Sequence, residues 1–307
     1  MLQTVLLLTL AASPVDPQAL RDTLSTRIAQ VKGASVAVAW QDLGNARDSV
    51  FLNADDTFHA ASTMKVPVMV ELFRQVDAGR LSMNQQVTLA NRFESIVDGS
   101  PYTLDAADDE DATLYEQLGK PVEVRELIQR MITRSSNLAT NSVIALVGPK
   151  KVNATLRKLG APKMTVLRGV EDGKAYAKGL NNTATARDLA TLLAAIEQGK
   201  AASETSTAAM RKILLAQELN DLIPAGLPPG TPVAHKTGQI TAVLHDAAIV
   251  YPPHRAPYVL VVLTRDIPDE KVARALITDL SRSVHAHATR QAPAAPARAP
   301  DAGTGAP

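Results

Sequence analysis

Apolar side chains return at Leu20, Leu24, Ile28 and Val31, the spacing of one helix face over residues 18–32, and Gly33 ends the pattern. The period then changes from helical to alternating. Ser35-Val36-Ala37-Val38-Ala39-Trp40 reads as a strand, and residues 49–52 as its hairpin partner. Helical patterns resume over 62–78, stopped by Gly79, and recur over 122–132, 137–146, 150–159 and 185–197. Residues 102–117 are acidic and irregular, which predicts an exposed loop. Strand patterns come back at 232–237, 245–251 and 258–264, the last two parted by the turn pair Pro252-Pro253. A closing helix is expected over 268–284, entered through Pro268-Asp269-Glu270 with acids in its first turn.

Strands near both chain ends with helices between them predict an α/β chain: one sheet assembled from both ends, with a helical region inserted in its middle. On this reading 14–61 and 206–287 form a discontinuous sheet domain and 62–205 a helical subdomain. Residues 288–307 are rich in Ala, Pro and Gly without an apolar pattern and are expected to be a disordered tail.

The run Val5 to Ala12 is too short to span a bilayer and ends in small residues before Pro14, so residues 1–13 are expected to be a signal peptide. Met1-Leu2-Gln3-Thr4 lacks the usual Lys or Arg, which leaves a buried terminal strand or helix as the alternative. The expectation is a secreted or periplasmic protein of bacterial type, with no stable membrane insertion and acting as a monomer.

Charge and composition narrow the partners. With 32 basic and 31 acidic residues in 307, the chain has no excess charge to attract nucleic acid or an anionic membrane. There are no cysteines, which excludes disulfides, thiolate metal sites and a Cys nucleophile. The 6 histidines lack H-x-x-x-H or H-E-x-x-H spacing, and no Gly-rich phosphate loop is present, so neither a metal nor a cofactor is expected.

Three short motifs occur in order: Ser62-Thr63-Met64-Lys65, Ser135-Ser136-Asn137 and Lys236-Thr237-Gly238. Ser62 and Lys65 are three apart at a helix start and share a face. A serine hydroxyl needs an adjacent base to become a nucleophile, and a lysine serves only when part of it is neutral. A second cation, Lys236, pushes it that way. The helix start also aims unpaired N–H groups at an attacked carbonyl. Singly, Ser62 reads as a helix cap, Lys65 as a solvated lysine and the Ser-Ser-Asn run as another cap; their order and placement together favour chemistry. Ser135 would relay a proton to the leaving nitrogen, and the Asn137 amide would hold a substrate amide. Lys236 and Thr237 suit a substrate carboxylate, Gly238 admits close approach of substrate, and the Gln239 N–H is a second oxyanion donor beside that of Ser62.

These motifs resemble those of the serine β-lactamases and penicillin-binding proteins, with class A β-lactamases the nearer match over residues 34–284. Phe58-His59-Ala60-Ala61, Met131-Ile132-Thr133, Asn141, Val233-Ala234-His235 and His245-Asp246-Ala247-Ala248-Ile249 carry the same resemblance. It implies an antiparallel sheet packed between helices, a helical subdomain bearing an Ω-like loop, and a site in the cleft between them. Two departures matter. Ser136 replaces an Asp that is structural in the family. In the Ω region, Glu171 lies three residues after Arg168 instead of two, Lys174 and Ala175 stand where an Asn is expected, and Asn182 replaces the Asp that would pair with Arg168. Glu171 is nevertheless the candidate base for the deacylating water, with Asp172 behind it.

The resemblance therefore implies a β-lactamase that opens the β-lactam amide through a Ser62 acyl-enzyme and so supports antibiotic resistance. The alternatives are a D-Ala-D-Ala peptidase acting on a peptidoglycan-like peptide, and a slowly deacylating penicillin-binding sensor.

Overall fold

The computed structural model describes residues 17–45 and 47–290. The expected signal peptide and most of the expected tail lie outside the described residues. Helix α1 (Pro17–Ala29) leads into strands β1 (Ser35–Asp42) and β2 (Ser49–Leu52). A 3₁₀ turn (Ala61–Met64) passes into α2 (Lys65–Asp77), followed by α3 (Val124–Thr133), α4 (Asn137–Val147) and α5 (Pro149–Lys158). The short α6 (Gly173–Ala177) precedes α7 (Ala186–Glu197) and α8 (Glu204–Leu215). Strands β3 (Val233–Ile240), β4 (Val243–Val250) and β5 (Tyr258–Arg265) then complete the sheet, and α9 (Glu270–Arg290) closes the described chain.

The sheet order is β2-β1-β5-β4-β3, and every pairing is antiparallel. Both faces are covered, so β1 and β5 are largely apolar and alternate between two cores, while β3 and β4 also bury polar side chains. Val36, Val38 and Trp40 of β1 join Tyr258, Leu260 and Val262 of β5 in a core with Leu20, Leu24, Leu276 and Ile277 of α1 and α9. Ala37, Ala39, Val259, Val261 and Leu263 point the other way, into the core shared with α2 and α7. Small side chains on that face let α7, itself lined by Ala186, Ala190 and Ala194, lie close against the sheet.

Helix α2 is the central post of the molecule. It is buried nearly all round, including the polar side chains of Lys65, Glu71 and Gln75. Its Pro67 lies in the first turn, where a missing N–H breaks no helical bond.

Four readings from the sequence need correction. The helix expected from residue 62 begins as a 3₁₀ turn, because Ala61 enters at φ 44° and the chain tightens before α2 starts at Lys65. The acidic segment 102–117 is not simply an exposed loop. Asp109 (7%) and Asp111 (3%) are buried, because backbone and Arg donors behind them take up their charge. Helix α8 had no sequence expectation. The boundary between 205 and 206 cuts through it, although it packs on α2, α3 and α7 as well as β3. Finally, α9 runs three residues into the expected tail, since Ala288 is buried in the core beside α1.

Candidate active site

The turn before α2 holds its shape through short local bonds. Ala61 N–H donates to His59 Nδ1 (3.0 Å), and Thr63 donates through N (3.1 Å) and Oγ1 (2.6 Å) to Ala60 O. Ser62, between them, is half-buried and its hydroxyl has no hydrogen-bond partner among the described residues. Strand β3 runs past this turn so closely that a Cβ on residue 238 would lie 3.0 Å from Ser62 N and 3.1 Å from Thr63 N. A side chain there would crowd the backbone of the turn, and glycine removes that pressure.

Below the turn, three elements bring two lysines to one hydroxyl. Lys65 Nζ, from α2, donates to Ser135 O (2.6 Å), Ser135 Oγ (3.1 Å) and Asn137 Oδ1 (3.0 Å). Lys236 Nζ, from β3, donates to the same Ser135 Oγ (3.1 Å) and to Thr237 O (2.9 Å). Ser135 is held there at φ 58°, an unfavourable left-handed conformation that costs about 1–3 kcal/mol. The neighbouring Ser136, not Ser135, caps α4, accepting from Ala139 N (3.3 Å). A hydroxyl has two acceptor positions and one proton. With both acceptor positions of Ser135 facing lysine Nζ donors, its own proton is left to donate.

Both lysines are fully buried. Burial, then the charge of Lys236, pushes the Lys65 pKa far below its ordinary value. Burial likewise brings Lys236 down to about 7, against the opposing pull of Asp246 and Glu110. Neutral amine at one of the two is therefore accessible near neutral pH.

Strand β3 is the sheet's edge and pairs only with β4, so its outer side faces the cleft. Gln239 lies there with its side chain drawn away to Glu270 (2.8 Å) and Arg274 (3.2 Å). His235, by contrast, is buried between Asp246 (2.9 Å) and Asn220 (3.1 Å) and packs beneath the strand.

The Ω-like segment is suspended from the backbone of Val170. Asn141 Oδ1 accepts from Val170 N (2.7 Å), while Asn141 Nδ2 (3.1 Å) and Tyr102 OH (3.2 Å) donate to Val170 O. Gly169 is required here, since a Cβ would come 2.5 Å from Asn141 Oδ1. The next residue but one, Glu171, turns at φ 61° and accepts from Asn137 Nδ2 through Oε1 (2.7 Å). Asn137 thus links Lys65 to Glu171 through its two amide atoms. Partial burial raises the Glu171 pKa above its ordinary value, opposed by the Asn137 hydrogen bond. Solvent reaches its other side.

The neck of this loop is built without an Asp–Arg pair. Asn182 does not meet the Arg168 guanidinium; it bonds the backbone of Leu167 and Arg168 instead. The guanidinium reaches Leu180 O (2.9 Å), Gly169 O (3.0 Å) and Asn181 Oδ1 (3.1 Å), neutral acceptors throughout. Burial without a paired carboxylate lowers the Arg168 pKa. Asp172 is equally structural. It caps α6 through Ala175 N and takes Ser95 Oγ (2.8 Å) and Ile96 N (2.9 Å); burial pushes its pKa up, but these bonds outweigh it and hold it low.

Sequence reasoning passed over Asp109, whose Oδ2 accepts from both Asn137 N and Leu138 N at 2.9 Å. It serves the start of α4 with a carboxylate where Ser136 has none. Gly169 was also passed over, and Asn141 was noted without a role. A glycine directly after Arg168 was the one available signal.

Two adjoining cavities, about 490 and 240 Å³, share Ser62, Asn137, Asp108 and Gln239 among their walls. A larger one of about 730 Å³ opens along α2 and α5, but none of the motif residues lines it. Among the described residues, no group of three or more His, Asp or Glu side chains could hold a metal ion.

With this geometry in hand, comparison with known proteins places the chain. The model of the β-lactamase enzyme family matches residues 19–288, and the chain belongs to that family of β-lactam hydrolases. It is 28% identical over 277 residues to a β-lactamase of Amycolatopsis lactamdurans, covering 89% of this chain and 86% of that one. Among solved structures it is similar to a β-lactamase of Sphaerobacter thermophilus (TM-score 0.76, 27% identity, covering 90% of this chain and 99% of that one). It is also similar to a point mutant of PBP-A, solved as an acyl-enzyme with penicillin G (TM-score 0.77, 27% identity, 89% and 97% covered).

Proposed function

We propose that this chain hydrolyses β-lactams by forming and then releasing an acyl-enzyme on Ser62. Ser62 Oγ attacks the ring carbonyl and gives its proton to Lys65, or to Glu171 through a water molecule. The N–H groups of Ser62 and Gln239 receive the developing oxyanion. The ring C–N bond breaks as Ser135 passes its proton to the nitrogen, while Lys236 and Thr237 hold the substrate carboxylate and Asn137 its side-chain amide. Glu171 then draws a proton from water, which attacks the ester and returns Ser62 to its free form.

The observation that carries this reading is Ser135 Oγ facing two buried lysines at 3.1 Å each. No packing requirement explains two buried lysines converging on one hydroxyl. The apolar run before Pro14 supports export, and we propose action as a monomer in the periplasm or outside the cell, where β-lactam destruction gives resistance.

The test is a time course with a chromogenic cephalosporin followed by intact-mass analysis. Many turnovers with no lasting adduct are expected. One equivalent of product and a stable adduct would instead indicate a penicillin-binding sensor, and cleavage of D-Ala-D-Ala peptide alone a peptidase.

A further inference from the structure

We propose that the cleft favours zwitterionic β-lactams, those with an ammonium group on the acyl side chain, through the carboxylates of Asp108 and Glu110. The inference rests on the β-lactam reading of Ser62 and concerns which members of that class are taken. It starts from a count of which charges around the cleft are already engaged.

The segment 105–111 carries five acids, Asp105, Asp108, Asp109, Glu110 and Asp111. Three have internal work. Asp105 caps the turn at Ala107 N, Asp109 holds the start of α4, and Asp111 pairs with Arg130 at 2.9 Å. Asp108 and Glu110 are exposed, and their carboxylates have neither a hydrogen bond nor an ion pair among the described residues. They stand on the cleft wall: Asp108 lines both cavities beside Ser62 and Asn137, and Glu110 lines the smaller one beside Ser135 and Thr237.

The arginines of those walls offer no compensation. Arg168 is committed to the loop neck, and Arg274 to Asp221 and Glu270. The unengaged charge at the rim is thus negative, and the positive charge lies on the floor at Lys236. The order matches a ligand whose carboxylate meets Lys236 and Thr237 and whose cation points toward the acidic segment. The two charges are near enough to be felt at the chemistry, since Glu110 supports the proton on both Lys65 and Lys236, and Asp108 that on Glu171.

Three penicillins with one phenylacetyl skeleton test this, carrying hydrogen, ammonium or carboxylate at the α-carbon: benzylpenicillin, ampicillin and carbenicillin. The readout is kcat/KM, or the second-order acylation rate by intact mass, below neutral pH where the amine is protonated. At low ionic strength we expect ammonium over hydrogen over carboxylate, with roughly two- to fivefold between neighbours, the scale of exposed charge pairs. High salt should compress the series, and Asp108→Asn with Glu110→Gln should flatten it. Equal rates at low salt, or an order unchanged in the double variant, would overturn the proposal. Loss of acylation by all three penicillins would instead sink the β-lactam reading itself.

Discussion

At the floor of the cleft, Lys65, Ser135 and Lys236 arrive from three separate elements, and their polar atoms are buried among partners that each element supplies. At its mouth, Glu171 stands on a loop held by one side-chain amide, one tyrosine hydroxyl and the space left by one glycine. The floor is overdetermined by the packing of α2, α4 and β3. The mouth depends on polar contacts made by loop residues, at Val170, at the Arg168 neck and at Asp172. On the proposed mechanism, with Lys65 taking the Ser62 proton, acylation draws on the first region and deacylation on the second, so damage to each should appear in a different half of the reaction.

The largest expected effect is at the floor. Lys65→Gln retains a donor for Ser135 and Asn137 but cannot take a proton, so acylation should slow by about 10³-fold with little change in melting temperature. Adduct formation at the wild-type rate would remove Lys65 from the chemistry. The mouth should respond more mildly and in the other half-reaction. Gly169→Ala forces a methyl against Asn141 Oδ1 and shifts Glu171, so deacylation should slow by about 10- to 100-fold, the scale of a small misplacement. Acylation should change far less. Pre-steady-state rates separate the two, and equal slowing of both would mean that the loop also shapes the floor.

The same contrast describes what could be read from the chain. The three motifs were legible because each is a local geometry: a turn into a helix, a helix start, an edge strand. The sheet was legible because its strands alternate between two cores over most of their length. The loop was not, since its shape is set across the fold by Asn141 and Tyr102, which nothing near Glu171 in sequence reveals. Asn182 illustrates the difficulty: its position suggested a partner for the Arg168 side chain, yet it bonds that residue's backbone and leaves the guanidinium to its neighbour Asn181. The acidic segment misled for a related reason. Composition alone could not tell that Asp109 and Asp111 face donors inside while Asp108 and Glu110 face the cleft. Helix α8 escaped notice although Met210, Ile213 and Leu214 are buried at helical spacing.

The division of labour between floor and mouth is tested most directly by intact-mass kinetics of Glu171→Gln with benzylpenicillin. The substitution keeps an acceptor for Asn137 while removing the base. The account predicts rapid, stoichiometric acylation of Ser62 and an adduct that outlasts the wild-type species by about 10²- to 10⁴-fold. Turnover at the wild-type rate without a lasting adduct would contradict it.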